Sequence, residues 1–366
     1  METSTGFATG QLSRGFTVYT CTEDFSVYSR ILRLPNGHVT NPQWQALFRE
    51  TADPRRTEVA FGNLPAAKVK SFTKGDGQIL ATVLGGSAII PNWLATDPEL
   101  LEVFDAEALK SPRKLAGLQR ELAGLLKSLS GNEALDTVRR FKVREMTRIA
   151  ARDLARLGDM TEVTAELAQV ADVTLSAMLE VCQTQISQRF GVPWHQDENG
   201  RWRETPYSLI GLGKLGGEEL NYSSDVDVML IYGDEGQTFK AKPRGSNAKG
   251  LIASHDYFNQ LTEEFIAAVG GATEEGMLYR IDFRLRPEGD AGPLARSLAS
   301  CENYYAQWGE LWERLMLIKT RPIAGDAELA AEFIEMTQPF RYPRSLSEAA
   351  LSEMGALKRL IEEQVV

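Results

Sequence analysis

One segment near the middle of the chain, residues 211–232 (GLGKLGGEELNYSSDVDVMLIY), constrains the fold more than any other. It follows directly on the apolar run 207–212, and its second half places Asp225 and Asp227 at the start of another apolar run. Because strand side chains alternate between faces, both carboxylates project from one side, about 6.5–7 Å apart along the backbone. The opposite, core-facing side carries Val226, Val228, Leu230 and Tyr232. The pattern predicts strand, turn and strand.

Two neighbouring carboxylates repel each other, and burial raises the pKa of at least one of them. A divalent cation between Asp225 and Asp227 removes that conflict. Magnesium typically takes one or two protein carboxylates together with substrate phosphates. The alternative at this point is that the two aspartates lie at the start of a strand without binding a metal.

A later segment, 277–286, favours the metal interpretation and predicts a third strand. Its apolar residues share one predicted face, namely Tyr279, Ile281, Phe283 and Leu285. The other face carries Asp282 among Arg280, Arg284 and Arg286. Such a face suits a site in which Asp282 joins the metal cluster and arginines hold phosphate oxygens. A solvent-facing sheet with salt bridges is the alternative.

The glycines at 211, 213 and 216 also fit GxGxxG, the dinucleotide-binding pattern. That fold needs a full helix after the glycines and an acidic residue about 20 positions later. Only the stub 217–220 follows here. A glycine-rich turn with an Asp-x-Asp and a later strand aspartate instead matches a two-metal nucleotidyl-transfer site, where charge neutralisation and positioning dominate.

Helical spacing of apolar residues predicts long helices over 137–157 and 172–190. Arg144, Arg148 and Arg152 repeat every four residues on the first of these, which we interpret as a solvated face rather than a phosphate or partner contact. The polar stretch 192–205 is interpreted as a boundary, and 233–254 as a mobile loop. An amphipathic helix follows, which contains Phe258, Leu261, Phe265 and Val269 and ends at Gly270-Gly271.

Charge and composition exclude several classes of protein. Fifty acidic and 40 basic residues give a formal net charge of −10, which repels nucleic acid. The one basic loop, with Lys240, Lys242, Arg244 and Lys249, lacks interleaved aromatic residues for base stacking. We expect no nucleic-acid partner.

No apolar run reaches the roughly 18 residues of a membrane span, and the N-terminal segment lacks the pattern of a secretory signal. We therefore expect a cytoplasmic protein without a membrane partner. The odd, widely spaced cysteines Cys21, Cys182 and Cys301 argue against a disulfide framework. The three histidines, none of them near a cysteine, argue against structural zinc.

The 211–232 segment resembles the signature of the glutamine synthetase adenylyltransferase family, within the DNA polymerase β-like nucleotidyltransferase superfamily. Three further segments are similar to other blocks of that family: 139–154 (RRFKVREMTRIAARDL), 279–294 (YRIDFRLRPEGDAGPL) and 312–326 (WERLMLIKTRPIAGD). The resemblance extends from about residue 80 to the end of the chain.

The resemblance implies site residues and ligands. Asp225, Asp227 and Asp282 correspond to catalytic metal ligands for Mg²⁺ or Mn²⁺. The phosphate-side and nucleotide-binding positions are Gly213, Gly216, Gly217, Ser224, Arg284, Arg286, Lys319 and Arg321. Tyr305, Trp312 and Glu313 also match the family, yet aromatic residues at this spacing favour helix packing over substrate contact.

The implied fold is α+β, with a small mixed sheet of the polymerase β type flanked by mainly helical regions. We predict a helical N-terminal region at 1–194, a nucleotidyltransferase core at 195–325 and the start of a helical domain at 326–366. Full-length family members carry two modules, so the chain is expected to be the front part of a longer enzyme. A natural single-module protein is the alternative.

The implied function is adenylyl transfer on a tyrosine of glutamine synthetase, with ATP or ADP and phosphate as ligands. Three features resemble the N-terminal, adenylyl-removing module: Gly292-Pro293-Leu294, Tyr304-Tyr305 and Trp312-Glu313-Arg314. The predicted direction is therefore phosphorolytic removal of AMP with release of ADP. The alternatives are ATP-dependent attachment, and a catalytically silent module that binds glutamine synthetase or a nitrogen regulator of the PII type.

Overall fold

The computed structural model describes residues 42–245, 247–345 and 347–364, and its fold is α+β. Cys21, His38 and the first 41 residues of the predicted N-terminal region lie outside the described residues. Cys182 and Cys301 are buried free thiols. The domain limits stay predictions; one hydrophobic cluster includes side chains from both sides of the boundary predicted at 194.

Five short helices form the first described part of the chain and share a hydrophobic core. They are α1 (Pro42–Arg49), α2 (Pro54–Gly62), α3 (Ala66–Val69), α4 (Lys74–Gly86) and α5 (Ile90–Thr96), followed by 3-10 helices at Pro98–Val103 and Ala108–Lys110. Asp53 caps α2, and Thr73 with Asp76 forms a capping box on α4. Across the described residues no single helix has the length and apolarity to cross a membrane; α4 and α5 meet that test only as a pair bent by 116°.

Three further helices follow: α6 (Leu115–Leu126), α7 (Gly131–Leu154) and α8 (Met160–Phe190). Helices α7 and α8 confirm those predicted over 137–157 and 172–190, although α7 ends at Leu154 and both begin earlier than predicted. The interpretation of the arginine ladder as a solvated face is wrong. Arg152 is fully buried and pairs with Glu162 and Glu166, and Arg148 also pairs with Glu166. Each charge in this α7–α8 interface has an opposite partner, as burial requires.

The polar stretch 192–205, predicted as a boundary, folds into a hairpin. Strands β1 (Val192–Gln196) and β2 (Trp202–Glu204) pair antiparallel, with Trp194 and His195 buried. Part of the segment predicted as a mobile loop is also ordered, because β5 (Gln237–Phe239) pairs antiparallel with β1. Polar stretches that the sequence predicts to be a boundary and a loop therefore form strands, because their backbones pair with each other.

The larger sheet is mixed. Its members are β3 (Tyr207–Gly211), β4 (Val226–Tyr232), β6 (Ile281–Asp282), β7 (Ala295–Ser297) and β8 (Arg321–Gly325). The path runs β6-β4-β3-β8, with β4 antiparallel to β3 and parallel to β6, and β3 antiparallel to β8. Strand β7 pairs in parallel with the far end of β4. The short helix α9 (Gly213–Gly216) joins β3 to β4.

Helices cover both faces of this sheet. One face, with Val228 and Leu230, packs in the same cluster as α8 and α10 (Ser254–Gly270). The other, with Met229 and Ile231, packs against the last helices of the chain. These are α11 (Leu298–Gln307), α12 (Leu311–Leu317) and α13 (Ala327–Arg341), followed by α14 (Glu348–Gln364). The β4 core residues predicted from alternation are confirmed; coverage of the opposite face was not predicted.

The third strand is much shorter than predicted. Only Ile281–Asp282 is strand, and the chain turns immediately afterwards. Strict alternation ends there: Leu285 packs on the opposite side of the sheet from Phe283, and Arg286 is buried. The predicted face with three arginines and one aspartate therefore holds only for the residues before the turn.

The turn after β3 packs tightly against the loop that precedes β8. A Cβ added at Gly216 would lie 1.8 Å from the carbonyl oxygen of Lys319 and 2.7 Å from that of Gly211. No side chain fits against two fixed backbone carbonyls at these distances. A Cβ at Gly217 would meet only side-chain carbons, the nearest being Cδ of Lys319 at 3.1 Å.

Buried polar groups lie between α11 and α12. Glu313 is fully buried, accepts hydrogen bonds from the Tyr304 hydroxyl at 3.1 Å and the Glu310 backbone N–H at 2.8 Å, and leaves its second carboxyl oxygen without a protein partner. Burial raises the pKa of Glu313 to about 7. Of the two aromatic residues for which helix packing was expected, Tyr305 is buried against Phe333 and Phe340, and Trp312 is half-buried.

We predict that Gly216→Ala destabilises the protein by about 2–3 kcal/mol, because the new methyl group overlaps main-chain atoms that cannot move independently. The matched control Gly217→Ala should change stability by about 0.5 kcal/mol or less, since this exposed position meets a flexible side chain. Urea unfolding of both variants measures the difference. Equal losses for the two variants would contradict the packing described here.

We also predict that stability falls as the pH rises from about 5 to 7. The folded protein holds a proton on Glu313 up to about pH 7, whereas the unfolded chain releases it near pH 4.3, so raising the pH favours unfolding between these values. Glu313→Gln removes the part of this dependence that comes from Glu313 and should gain about 2 kcal/mol relative to wild type between pH 5 and 8. The part that comes from Asp227, whose pKa is also raised to about 7, stays in the variant. Chemical unfolding across that pH range measures the free energy of unfolding of both proteins. If its dependence on pH is the same in the variant as in wild type, the prediction is wrong.

Candidate functional site

The structure brings the three predicted carboxylates to one end of the larger sheet. Asp227 and Asp282 lie directly opposite each other on the parallel strands β4 and β6. Asp225 immediately precedes β4, and the backbone N–H of Val226 donates to the carbonyl of Arg280, which aligns the two segments. Parallel pairing thus places Asp282 next to Asp227 and Asp225, which lie 55 and 57 positions earlier in the sequence.

Asp227 is the central carboxylate and is half-buried. Burial, followed by the negative charges of Asp282 and Asp225, raises the pKa of Asp227 to about 7, although Arg284 and Lys214 act in the opposite direction. Its neighbour Gly213 has φ +55°, and a Cβ there would lie 2.5 Å from the Asp227 carboxylate. Gly213 therefore lets the turn approach the carboxylate closely.

Each outer carboxylate is paired with an arginine. Arg280 donates from Nε to Asp225 at 2.5 Å and from Nη2 to the carbonyl of Ser223 at 2.9 Å. Arg284 donates from its backbone N–H at 2.7 Å and from its guanidinium at 2.5–3.1 Å to Asp282. Partial burial alone would raise the pKa of Asp282, but the Arg284 hydrogen bonds hold it below its usual value.

The donor set fits a divalent cation. All three groups are carboxylates, the oxygen ligands that Mg²⁺ and Mn²⁺ prefer, and burial together with the charges of Asp282 and Asp225 raises the pKa of Asp227. Across residues 42–245, 247–345 and 347–364 no three His, Cys, Asp or Glu side chains already form a metal-binding group. Binding through all three carboxylates therefore requires the side chains to reorient, away from Arg280 and Arg284 for the outer pair.

The glycine-rich turn lies beside Asp227, but two of its amides are used internally. The N–H of Gly216 donates to Leu212 at 2.8 Å and that of Gly217 to Gly213 at 3.0 Å. These glycines close the turn and permit its packing, so a phosphate contact through their amides stays a prediction. Ser224 lies at the other end of the loop, 3.5 Å from Nζ of the exposed Lys214.

Two predicted phosphate ligands are engaged elsewhere. Arg286 is buried and donates to the carbonyls of Phe283, Gly292 and Pro293 at 2.7–3.0 Å. Arg321 donates to Asp172 and to the carbonyl of Leu215, so both arginines hold main-chain carbonyls around the site. Lys319 makes an exposed ion pair with Glu219, and its phosphate contact stays a prediction. Arg280, Arg284 and Lys214 are exposed cations beside the carboxylates.

Two contacts from the helical region were not predicted. Asp172 on α8 holds Arg321, and Asp153 on α7 accepts a hydrogen bond from the Tyr222 hydroxyl at 3.0 Å. The Asp153 contact reaches the loop between β3 and β4 directly, and the Asp172 contact reaches it through Arg321. Asp172 is a charged residue in a mostly apolar stretch of α8, and this was the sequence signal that could have indicated a buried polar contact. Nothing in the sequence indicates the partner of Asp153.

Comparison with known proteins identifies the family. The model of the glutamate-ammonia ligase adenylyltransferase family matches residues 77–336. The chain is similar to proteins named bifunctional glutamine synthetase adenylyltransferase/adenylyl-removing enzyme. The protein from Nitrosococcus oceani is 37% identical over 67% of this chain and 24% of its own length. The one from Pseudomonas aeruginosa is 33% identical over 73% of this chain and 26% of its length, and that from Shewanella woodyi 28% identical over 90% and 33%.

The chain thus spans about a quarter to a third of the length of these curated relatives. The family match covers the helices α7 and α8, the larger sheet, the glycine-rich turn and all three carboxylates. The chain belongs to the glutamate-ammonia ligase adenylyltransferase family.

Proposed function

We propose that the chain catalyses metal-dependent transfer of an adenylyl group on a tyrosine of glutamine synthetase. The direction that we propose is removal, in which inorganic phosphate attacks the phosphorus of the tyrosine-bound AMP. The new bond joins the two phosphates, the bond to the tyrosine oxygen breaks, and that oxygen takes up a proton. The products are ADP and unmodified glutamine synthetase.

The observation that carries this proposal is the pairing of Asp227 with Asp282 on parallel strands, beside the glycine-rich turn and with Asp225 next to β4. Three clustered carboxylates and a close-packed turn suit a reaction in which bound cations and phosphates neutralise one another. Relatives with this family's sequence are named for both attachment and removal of an adenylyl group on glutamine synthetase.

Asp225, Asp227 and Asp282 would hold Mg²⁺ or Mn²⁺, which when bound supplies charge neutralisation at the phosphates. Arg280 and Arg284 are the protein's own cations at this edge, and each is about half exposed. The exposed pair of Arg280 with Asp225 contributes only about 0–1 kcal/mol, so Arg280 is free to exchange its carboxylate for a phosphate oxygen. Arg284 is held more firmly, because its partner Asp282 is only 15% exposed. Lys214 is positioned to act like Arg280 from the turn.

The direction rests on the likeness of three segments to the adenylyl-removing module: Gly292-Pro293-Leu294, Tyr304-Tyr305 and Trp312-Glu313-Arg314. The carbonyls of Gly292 and Pro293 hold Arg286, and Tyr304 holds Glu313. These residues therefore act on the architecture behind the site. ATP-dependent attachment uses the same carboxylates and is the second candidate, since the relatives carry both names. A regulator of the PII type belongs to the proposal as a partner.

We predict that Asp227→Asn lowers the affinity for Mn²⁺ by at least about tenfold. In wild type the affinity should also fall as the pH drops from 8 to 6, because a proton then occupies Asp227, whose pKa is about 7. The variant should lack this part of the pH dependence. Titration monitored by Mn²⁺ electron paramagnetic resonance measures both. Asp234→Asn, an exposed acid after β4, is the control; an equal loss there would contradict the site.

We predict that the full chain releases ADP from adenylylated glutamine synthetase in the presence of phosphate and Mg²⁺. Asp225→Asn should reduce the rate by at least about 100-fold, as expected when a metal ligand at the reacting phosphate is removed. Nucleotide product analysis by chromatography makes the measurement. AMP incorporation from ATP into unmodified synthetase, without ADP release, would reverse the direction. Inactivity in both assays, with Mn²⁺ binding unaffected by Asp225→Asn, would support a silent module.

A further inference from the structure

A partly buried ion pair between Asp172 and Arg321 joins helix α8 to the glycine-rich turn. Arg321, at the start of β8, donates from Nη1 to one Asp172 oxygen at 2.6 Å and from Nη2 to the other at 3.0 Å. The same Nη2 also donates to the carbonyl of Leu215 at 3.0 Å. Asp172 has 7% of its surface exposed. A bidentate arginine-carboxylate pair fixes the plane of the guanidinium, so the direction of the third bond is fixed as well.

The third bond matters because of what Leu215 belongs to. Leu215 lies inside α9, the turn Gly213–Gly216, and its side chain is fully buried. At one end of this turn, Gly213 approaches the Asp227 carboxylate so closely that a Cβ there would lie 2.5 Å from it. At the other end Gly216 rests on the carbonyl of Lys319, two residues before Arg321. A shift of the turn therefore moves its contact with Asp227.

The remainder of the loop is tied to the same helical region. The Tyr222 hydroxyl donates to Asp153 at 3.0 Å, near the end of α7, and Tyr222 lies three residues before Asp225. Helices α7 and α8 are themselves joined through Arg152 and Glu166. The loop from β3 to β4 thus has two attachments to a single helical unit, one directly through Tyr222 and Asp153 and one through Arg321 of β8.

From these contacts we infer that Asp172 is a positioning residue, which acts through Arg321 to hold the glycine-rich turn against Asp227. The effect of this role on the binding of nucleotide phosphates rests on the proposed function. The contacts that hold the turn do not depend on it. The helical region is then part of the machinery that shapes the site. Arg321, placed among the phosphate ligands by sequence, supports the main chain of the turn.

The test must separate positioning from stability, because Asp172→Asn alone leaves the partly buried Arg321 without its counter-ion and lowers stability for that reason. The main variant therefore combines Asp172→Leu with Arg321→Met. It removes both charges together, a change that is often neutral for stability when the replacements pack well, and it deletes the bond to Leu215. The control is Glu145→Gln, another buried helix carboxylate with arginine partners, which does not contact the turn.

Two readouts on the full chain decide the inference. Amide hydrogen exchange of residues 212–217, measured without any ligand, should accelerate at least about tenfold in the double variant, because a local attachment of the turn is lost. The dissociation constant for ADP with Mg²⁺, measured by calorimetry, should rise by about 10- to 100-fold, as small misplacements of a binding element typically produce. Glu145→Gln should leave the turn's exchange and ADP binding within about twofold of wild type.

Unchanged exchange of the turn in a folded double variant would overturn the inference, and so would equal effects in Glu145→Gln. If wild type neither binds ADP nor releases it from adenylylated glutamine synthetase, the proposed function fails. In that case faster exchange confined to 212–217 in the double variant still supports the positioning of the turn. If wild type binds ADP and the double variant binds it equally well, the positioning role in phosphate binding fails while the proposed function stands.

Discussion

Crowding of three carboxylates at the start of β4 is the constraint around which the rest of the site is arranged. Parallel pairing of β4 and β6 forces Asp227 and Asp282 together, and Asp225 adds a third charge. Like charges this close cannot all ionise without nearby cations. Arg280 and Arg284 neutralise the outer two, and burial together with the neighbouring charges of Asp282 and Asp225 raises the pKa of Asp227 to about 7. A site with this imbalance is suited to bind cations and phosphates together, because each relieves the charge of the other.

The sequence predicted those features that depend on local pattern. Alternation in β4 correctly separated the carboxylates from Val228 and Leu230, and the glycines correctly marked a turn. These predictions succeeded because a strand repeats every two residues and a close-packed turn admits no Cβ. The same reasoning failed after Asp282, where the chain leaves the sheet. Alternation does not indicate where a strand ends, so Arg286 was assigned to the phosphate face although it is buried among carbonyls.

Long-range pairing could not be predicted in the same way. The spacing of Arg148 and Arg152 is equally compatible with a solvent-exposed helix face and with a buried interface between helices. The deciding residue, Glu166, lies on the next helix. Likewise Arg321 is 149 positions from Asp172. A single sequence gives the charge and period of a residue but not its partner, and in the interior the partner determines whether a charged group binds substrate or supports the fold.

These partners change how the helical and sheet regions relate to each other. If the sheet alone formed the site, contacts between α8 and β8 would serve packing only, and hydrophobic side chains would suffice there. Instead a buried aspartate and a partly buried arginine occupy that contact, an arrangement that often adds no stability over apolar residues of similar volume. Unlike apolar side chains, the ion pair fixes the orientation of a hydrogen-bond donor. Its guanidinium donates to one carbonyl of the turn beside Asp227. The geometry of the carboxylate site is therefore determined jointly by the helices and the sheet.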